Sequence, residues 1–310
     1  MSQTAAGATI PEVTHHTATL NDDELHYVTA GTCGTPVLLV HGFPESWWAF
    51  RKLIPLLASE HRVIAVDLPG FGDSGHERDD YTSSFAAESL RRVIEHLDLG
   101  PVHLTGQDIG GTSTFRLAAG HPELIRSYAA IETGLPGFGL EILADVTHGG
   151  TWHIGVLAAP GIPEMLLTGR ERDFLAGYAY PAMSGTAGAI SEQDIDEFTR
   201  AYSRPNGFRG ATGLYRSMLK EGEEIKQIVA RQQLTMPVLA VGAGTGQFTY
   251  DTMAQVAVNV NQANLDDIGH LVAIDDPEAL AQTLLGFYRT LDAWRHQPRP
   301  QSHDGPARRV

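Results

Sequence analysis

Gly106-Gln107-Asp108-Ile109-Gly110-Gly111 is the stretch that decides the fold; it follows the apolar run Val102 to Leu104 and leads directly into a helical segment, Thr112 to Gly120. An apolar strand, a glycine-rich turn and a helix together make half of a βαβ unit. The small residues Gly106, Gly110 and Gly111 permit a sharp strand-to-helix turn whose central residue projects its side chain from a strained backbone. In open parallel sheets the reactive groups collect at the carboxyl ends of strands, where loops converge and helix N-termini offer unpaired N–H donors. Asp108 occupies such a position. Taken alone, the same pattern also suits an aspartate that merely caps a helix.

Outward from this turn, further brief apolar runs bounded by turn residues read as buried parallel strands: Pro36 to Val40, Val63 to Val66, Tyr128 to Ile131 and Val238 to Val241. Helical segments lie between them, including Trp47 to Ser59 and Ser84 to Leu97. The expected fold class is α/β, a mostly parallel central sheet flanked by helices. The alternation stops after Pro136 and resumes near Met236. The intervening residues are helical in character, with acidic runs at Ser191 to Ala201 and Lys220 to Arg231 and no clear strand. Residues 1–136 and 236–294 are therefore assigned to one α/β core and 137–235 to an inserted helical cap. The late return of a strand places the cap inside one fold instead of between two domains. Residues 1–11, polar and rich in small residues, are expected to be a disordered leader, and 295–310, rich in Pro, Arg, His and Gln, a disordered, solvated tail.

Composition narrows the function. A chain of 310 residues with 42% hydrophobic residues can bury one large core and a smaller appended unit. A net charge of −15 with no Lys/Arg cluster argues against nucleic acid and against anionic membrane surfaces as partners. The single cysteine, Cys33, cannot form an internal disulfide, and no Cys/His spacing suggests a structural zinc, so neither metal nor cofactor is expected. The N-terminus lacks a basic region followed by an apolar run, and no stretch approaches the roughly 18 consecutive apolar residues of a spanning helix. A cytoplasmic protein is expected.

Three more motifs sit where strand ends should be. His41-Gly42-Phe43-Pro44 follows Pro36 to Val40, Asp67-Leu68-Pro69-Gly70-Phe71-Gly72-Asp73-Ser74 follows Val63 to Val66, and Asp266-Asp267-Ile268-Gly269-His270 precedes a helical run near the C-terminus. With the turn around Asp108, this set resembles the α/β-hydrolase family, with Asp in place of the usual nucleophilic Ser, over roughly the whole chain outside its two ends. The resemblance implies an α/β-hydrolase fold with Asp108 as nucleophile. It further implies His270 as base and an oxyanion hole made by the backbone N–H groups of Phe43 and Ile109. The Asp67 to Ser74 segment is assigned to loop geometry and His41 to a structural role. Many members carry the third acid after the strand that is here Val238 to Val241, yet Gly242 to Gln247 holds no carboxylate; others carry it one strand earlier. There Glu132 follows Tyr128 to Ile131 directly, so Glu132 is assigned to orient His270, with Asp251 as the alternative.

An aspartate at this turn resembles epoxide hydrolases, haloalkane dehalogenases and fluoroacetate dehalogenases. All attack an electrophilic carbon with the carboxylate and then hydrolyse the resulting ester with histidine-activated water. The leaving group distinguishes them. Haloalkane dehalogenases usually hold halide with a Trp next to the nucleophile, where this chain has Ile109. Fluoroacetate dehalogenases have an Arg after the Asp and another nearby, whereas here the nearest is Arg116. Trp152-His153 and Leu214-Tyr215-Arg216 resemble cap elements of bacterial epoxide hydrolases that use a His/Tyr pair. The resemblance thus implies His153 and Tyr215 as ring-opening donors and Trp152 as a pocket wall. The expected function is a cofactor-independent epoxide hydrolase acting on a small-molecule epoxide and water, with homodimer formation left open. The alternatives are a haloalkane or haloacetate dehalogenase with the same triad, and a catalytically inactive small-ligand binder.

Overall fold

The computed structural model of the protein describes residues 7–20 and 23–295. Eight strands form one sheet: β1 (Thr14–Leu20), β2 (Asp23–Ala30), β3 (Pro36–Val40), β4 (Arg62–Val66), β5 (Val102–Gln107), β6 (Ile125–Ile131), β7 (Val238–Gly242) and β8 (Val260–Asn264). Their spatial order is β1-β2-β4-β3-β5-β6-β7-β8. β1 and β2 pair antiparallel with each other and β2 antiparallel with β4; every other pairing is parallel. β3 has β4 on one side and β5 on the other, so the chain reverses its direction of travel there. A crevice opens beyond the carboxyl ends of neighbouring strands at such a switch point.

Helices α1 (Leu53–Ala58), α2 (Ser83–His96) and α3 (Gly110–Gly120) connect the first parallel strands, and α11 (Phe248–Val256), α12 (Val272–Asp275) and α13 (Pro277–Arg295) complete the core. Between β6 and β7 the longer segments are all helical: α4 (Trp152–Ala158), α5 (Ile162–Leu167), α6 (Glu171–Phe174), α7 (Tyr180–Met183), α8 (Glu192–Tyr202), α9 (Arg209–Lys220) and α10 (Gly222–Arg231). A π-helical turn, Leu175–Ala179, joins α6 to α7. This helical segment, the cap, packs on the loops at the carboxyl edge of the sheet. Tyr180 O–H donates to Pro44 O at 2.9 Å, and Trp48 Nε1–H donates to Asp194 at 2.9 Å. Arg200 on α8 reaches both carboxylate oxygens of Asp73 at 3.0 Å. No helix among the described residues is long and apolar enough to cross a membrane.

Every residue of β5 is buried, and Val37 to Val40, Ile64 to Val66 and Tyr128 to Ile131 are inaccessible to solvent. Continuous apolar runs of this kind belong in a sheet covered on both faces. Each such Val, Leu or Ile contributes roughly 1.5–3 kcal/mol by its burial.

Local structure departs from the sequence reading in three places. The helix expected from Trp47 to Ser59 is a 3-10 turn, Trp47–Phe50, followed by the shorter α1. The break follows from competing anchors: Ser46 Oγ accepts Trp48 N–H, and buried Asp67 accepts Trp47 N–H at 2.7 Å. The β1–β2 pair and the edge strand β8 had no clear apolar run to announce them, since β1 and β8 are largely exposed. Residues 7–11, expected in a disordered leader, are held against the cap: Ala8 N–H donates to Glu197 Oε2 at 2.9 Å, and Ala8 and Ile10 pack on the core. Residues 1–6 and 296–310, which contain the rest of the expected leader and almost all of the expected tail, lie outside the described residues.

Candidate active site

Asp108 stands between β5 and α3 with φ +48°, a left-handed conformation uncommon for a residue with a side chain. Neighbours hold it there. Its N–H donates to Ile131 O at 3.1 Å, and its carbonyl accepts the Thr133 hydroxyl at 2.6 Å. The turn has no room for side chains around it. A Cβ on Gly42 would lie 2.4 Å from Asp108 Cβ, and one on Gly110 would lie 2.2 Å from His41 O.

Phe43 N–H donates to Asp108 Oδ2 at 2.8 Å, and Ile109 N–H also bonds the carboxylate. The other oxygen, Oδ1, lies 3.2 Å from His270 Nε2. His270 Nδ1 in turn lies 3.1 Å from Glu132 Oε2. Glu132 is 2% exposed and also has a left-handed backbone, φ +46°. It accepts Ala243 N–H at 2.5 Å, Thr245 N–H at 3.0 Å and the Thr245 hydroxyl at 2.8 Å. The loop after β7 thus supplies no acid but holds the one that comes from β6. Asp251, the alternative, is an exposed residue on α11.

The electrostatics follow from this row of three. Burial alone would raise the Asp108 carboxyl, but the hydrogen bond and charge of His270, together with the Ile109 and Phe43 N–H groups, hold it below the usual carboxylate range. Burial would lower His270, yet bonds to Asp108 and Glu132 and their two charges push it up to about 10. In the resting site His270 is an imidazolium between two carboxylates.

A cavity of about 360 Å³ opens over this row, walled by Ile109, Leu140, Leu143, Ile154, Met183 and Met218 among others, with His153 and Tyr215 in its lining. Burial drives His153 down to about 4, with the Asp108 charge opposing and that of His270 adding. It drives the Tyr215 hydroxyl well above its ordinary value, helped by Asp108. Both are therefore uncharged at neutral pH, and each can donate a hydrogen bond. Tyr178 O–H lies 3.2 Å from His153 Nδ1. Among the described residues, no Lys or Arg lines the cavity. Arg116 turns away from it and pairs with Glu221 and Glu224.

The structure brings Asp108, Glu132, His270, Phe43, Ile109, His153 and Tyr215 together, but not Trp152. That side chain is 44% exposed and packs on Tyr178 and Phe174 instead of walling the cavity. Adjacent residues on a helix point about 100° apart, so an α4 that turns His153 inward carries Trp152 outward. The sequence reading also passed over Glu45. It is 1% exposed, accepts Gly42 N–H at 3.0 Å and Gln107 Nε2–H at 2.9 Å, and burial pushes it up to about 7. It braces the residues just before Phe43 and Asp108. A charged residue inside the largely apolar, aromatic-rich stretch from Phe43 to Phe50 was the available signal.

A strand-turn-helix aspartate, a histidine held between carboxylates and paired backbone donors on a switch-point crevice define an α/β hydrolase. Comparison with known proteins agrees: the family model described as alpha/beta hydrolase fold matches residues 35–152. The soluble epoxide hydrolase of Corynebacterium sp. (strain C12) is 31% identical over 297 residues, 90% of this chain and 99% of that one. The solved structure of the epoxide hydrolase CorEH without ligand superposes with a TM-score of 0.81 at 29% identity, over 90% of this chain and 100% of that one. A haloalkane dehalogenase of Psychrobacter cryohalolentis is 44% identical over a shorter stretch of 121 residues, 37% of this chain and 40% of that one. The chain belongs to the α/β-hydrolase family and, within it, to the epoxide hydrolases.

Proposed function

We propose that the protein hydrolyses an epoxide to a vicinal diol through an ester on Asp108. Asp108 Oδ1, the oxygen not engaged by Phe43 N–H, attacks an epoxide carbon. The C–O bond breaks as Tyr215 gives its proton to the departing oxygen and His153 donates a hydrogen bond to it. His270, no longer facing a charged Asp108, releases its resting proton to solvent; the neutral imidazole then takes a proton from water, and the hydroxide attacks the ester carbonyl. Phe43 and Ile109 N–H groups hold the oxyanion on Oδ2. Collapse breaks the acyl–oxygen bond, the diol leaves with the proton from His270, the regenerated Asp108 carboxyl passes its proton to His270, and Tyr215 recovers its own from solvent. Glu132 keeps the imidazole oriented throughout. The low cysteine content, with Cys33 exposed and free, supports a cytoplasmic setting.

The observation that carries this reading is the pairing of a carboxylate with two uncharged donors across an apolar cavity. A halide or a haloacetate carboxylate would call for a cation or an indole N–H in the lining, and neither is among the residues that form it. The test is intact-protein mass spectrometry of His270→Ala after exposure to mixed small epoxides and, separately, to haloalkanes and haloacids. An adduct equal to a whole epoxide, mapped to Asp108, is the expected result. An adduct equal to a halide substrate less its hydrogen halide would replace the reading with dehalogenation, and reversible binding without any adduct would replace it with a ligand-binding protein.

A further inference from the structure

Asp275 takes no part in the reaction above, yet it is a buried carboxylate, 8% exposed, at the end of α12 and five residues beyond His270. Its oxygens join two segments far apart in sequence. Oδ1 accepts the Ser184 hydroxyl at 2.5 Å, and Oδ2 accepts Gly185 N–H at 2.7 Å and Gly269 N–H at 3.0 Å. Ser184 and Gly185 follow α7 in the cap; Gly269 immediately precedes His270. A fourth bond closes the same junction, from His270 N–H to Met183 O at 2.8 Å. The two backbones touch so closely that a Cβ on Gly185 would lie 2.5 Å from Gly269 N, and one on Gly269 would lie 2.0 Å from Gly185 N.

The chemistry explains why a carboxylate stands there. Three donors converge from two backbones, and only an acceptor with several lone pairs on two oxygens can serve all three. Bonds to an ionised acceptor are about twice as strong as neutral ones. Among the described residues no Lys, Arg or His forms an ion pair with Asp275, so these donors are what makes its burial tolerable. The cap edge and the histidine loop are thereby one mechanical unit, and both line the cavity.

We propose that Asp275 is a positioning residue for the second half of the reaction: it fixes the His270 loop to the cap, so that the imidazole stands at its working distance from Asp108 only while residues 183–185 are seated. This rests on the reading of His270 as the base. Ester formation uses Asp108, Tyr215 and His153, none of which the clamp touches. Ester hydrolysis depends on where His270 places water, and a displacement of about 1 Å in a reacting group costs about 10²-fold.

Single-turnover kinetics of Asp275→Asn with styrene oxide as probe, read by intact mass, separates the two steps. The expected result is ester formation within about twofold of wild type and ester hydrolysis slower by about 10- to 100-fold. Ester then accumulates at steady state, and kcat falls while kcat/KM changes little. Wild-type partitioning, or an equal loss in both steps, would overturn the proposal. If Asp275→Asn does not fold, Ser184→Ala carries the same test by removing only the cap-side hydroxyl, with a smaller shift in the same direction expected and wild-type partitioning again overturning it. His270→Ala serves as the control. If it forms no ester, the reaction itself has been misread; if it does and the clamp variants show no excess ester, only the role of Asp275 falls.

Discussion

Replacing Asp108 with Asn removes one of the two charges that hold His270 as a cation, and the size of the effect can be worked from the geometry. The carboxylate oxygen lies 3.2 Å from His270 Nε2. At an effective dielectric constant of about 20, two unit charges at that separation attract by about 5 kcal/mol, equivalent to three to four pH units on the histidine. His270 stands at about 10 in the intact site, so Asp108→Asn should bring it to roughly 6–7. The assay is long-range 1H–15N NMR of the histidine side chains between pH 5 and 11, on a sample shown by mass to be free of deamidation. The same substitution imitates the uncharged ester. A histidine that titrates near neutrality in the variant is therefore one that ester formation converts into a usable base. The sign for stability follows as well. The folded value lies above the unfolded value of 6.5, so the ion pair's contribution is complete below about pH 6.5 and disappears as pH rises through about 10. The melting temperature of wild type should exceed that of the variant less and less over this window. If His270 in Asp108→Asn titrates within one unit of wild type, the electrostatic argument is wrong.

Two further substitutions test separate parts of the molecule. Tyr215→Phe removes the proton donor while keeping the ring against Phe43, and should slow ester formation by about 10²-fold with ester hydrolysis nearly unchanged. This is the opposite partition to Asp275→Asn, and equal slowing of both steps in single-turnover measurements would argue against a role in ring opening. Asp194→Ala strands Arg51, with which it pairs at 2.5 Å, and also removes the acceptor of Trp48 Nε1–H and the helix cap shared with Ser191. Asp194 is 1% exposed, so the cost should be about 3–5 kcal/mol, as for other buried pairs broken on one side. Urea unfolding measures it, and a loss below about 1 kcal/mol would mean that water reaches the cap–core junction.

The parts of the fold that announced themselves in sequence were those with a single physical cause. β3, β5 and β7 are buried on both faces, so their apolar runs stand out between turns. β1 and β8 lie at the sheet edges with mixed exposure, and their residues Thr14 to Leu20 and Val260 to Asn264 carry no such run. In the site, Asp108 and His270 lie in glycine-containing turns that leave a local trace, and Glu132 could be found because it directly follows its strand. Asp275, Thr245 and Glu45 act through contacts with residues distant in the chain or with backbone groups, which leave no pattern at fixed spacing. Trp152 shows the reverse failure: a motif can name two neighbouring residues, but only the rotation of α4 decides which faces the cavity.

The two donors over Asp108 are uncharged for the same reason, burial, yet in the proposed reaction they do different work. A histidine held at about 4 carries no spare proton at neutral pH, so His153 can offer a hydrogen bond but not an acid. Tyr178 O–H, 3.2 Å from His153 Nδ1, bonds that ring nitrogen as donor or acceptor according to the imidazole tautomer. The proton for the opening epoxide must then come from Tyr215. Its hydroxyl is held protonated by the same burial and by the Asp108 charge, and that charge disappears as the ester forms. Alkylation thus makes Tyr215 a stronger acid and frees His270 from its resting proton in a single event, turning a locked imidazolium into a neutral imidazole that can accept one, because both owe part of their resting state to the one carboxylate being consumed.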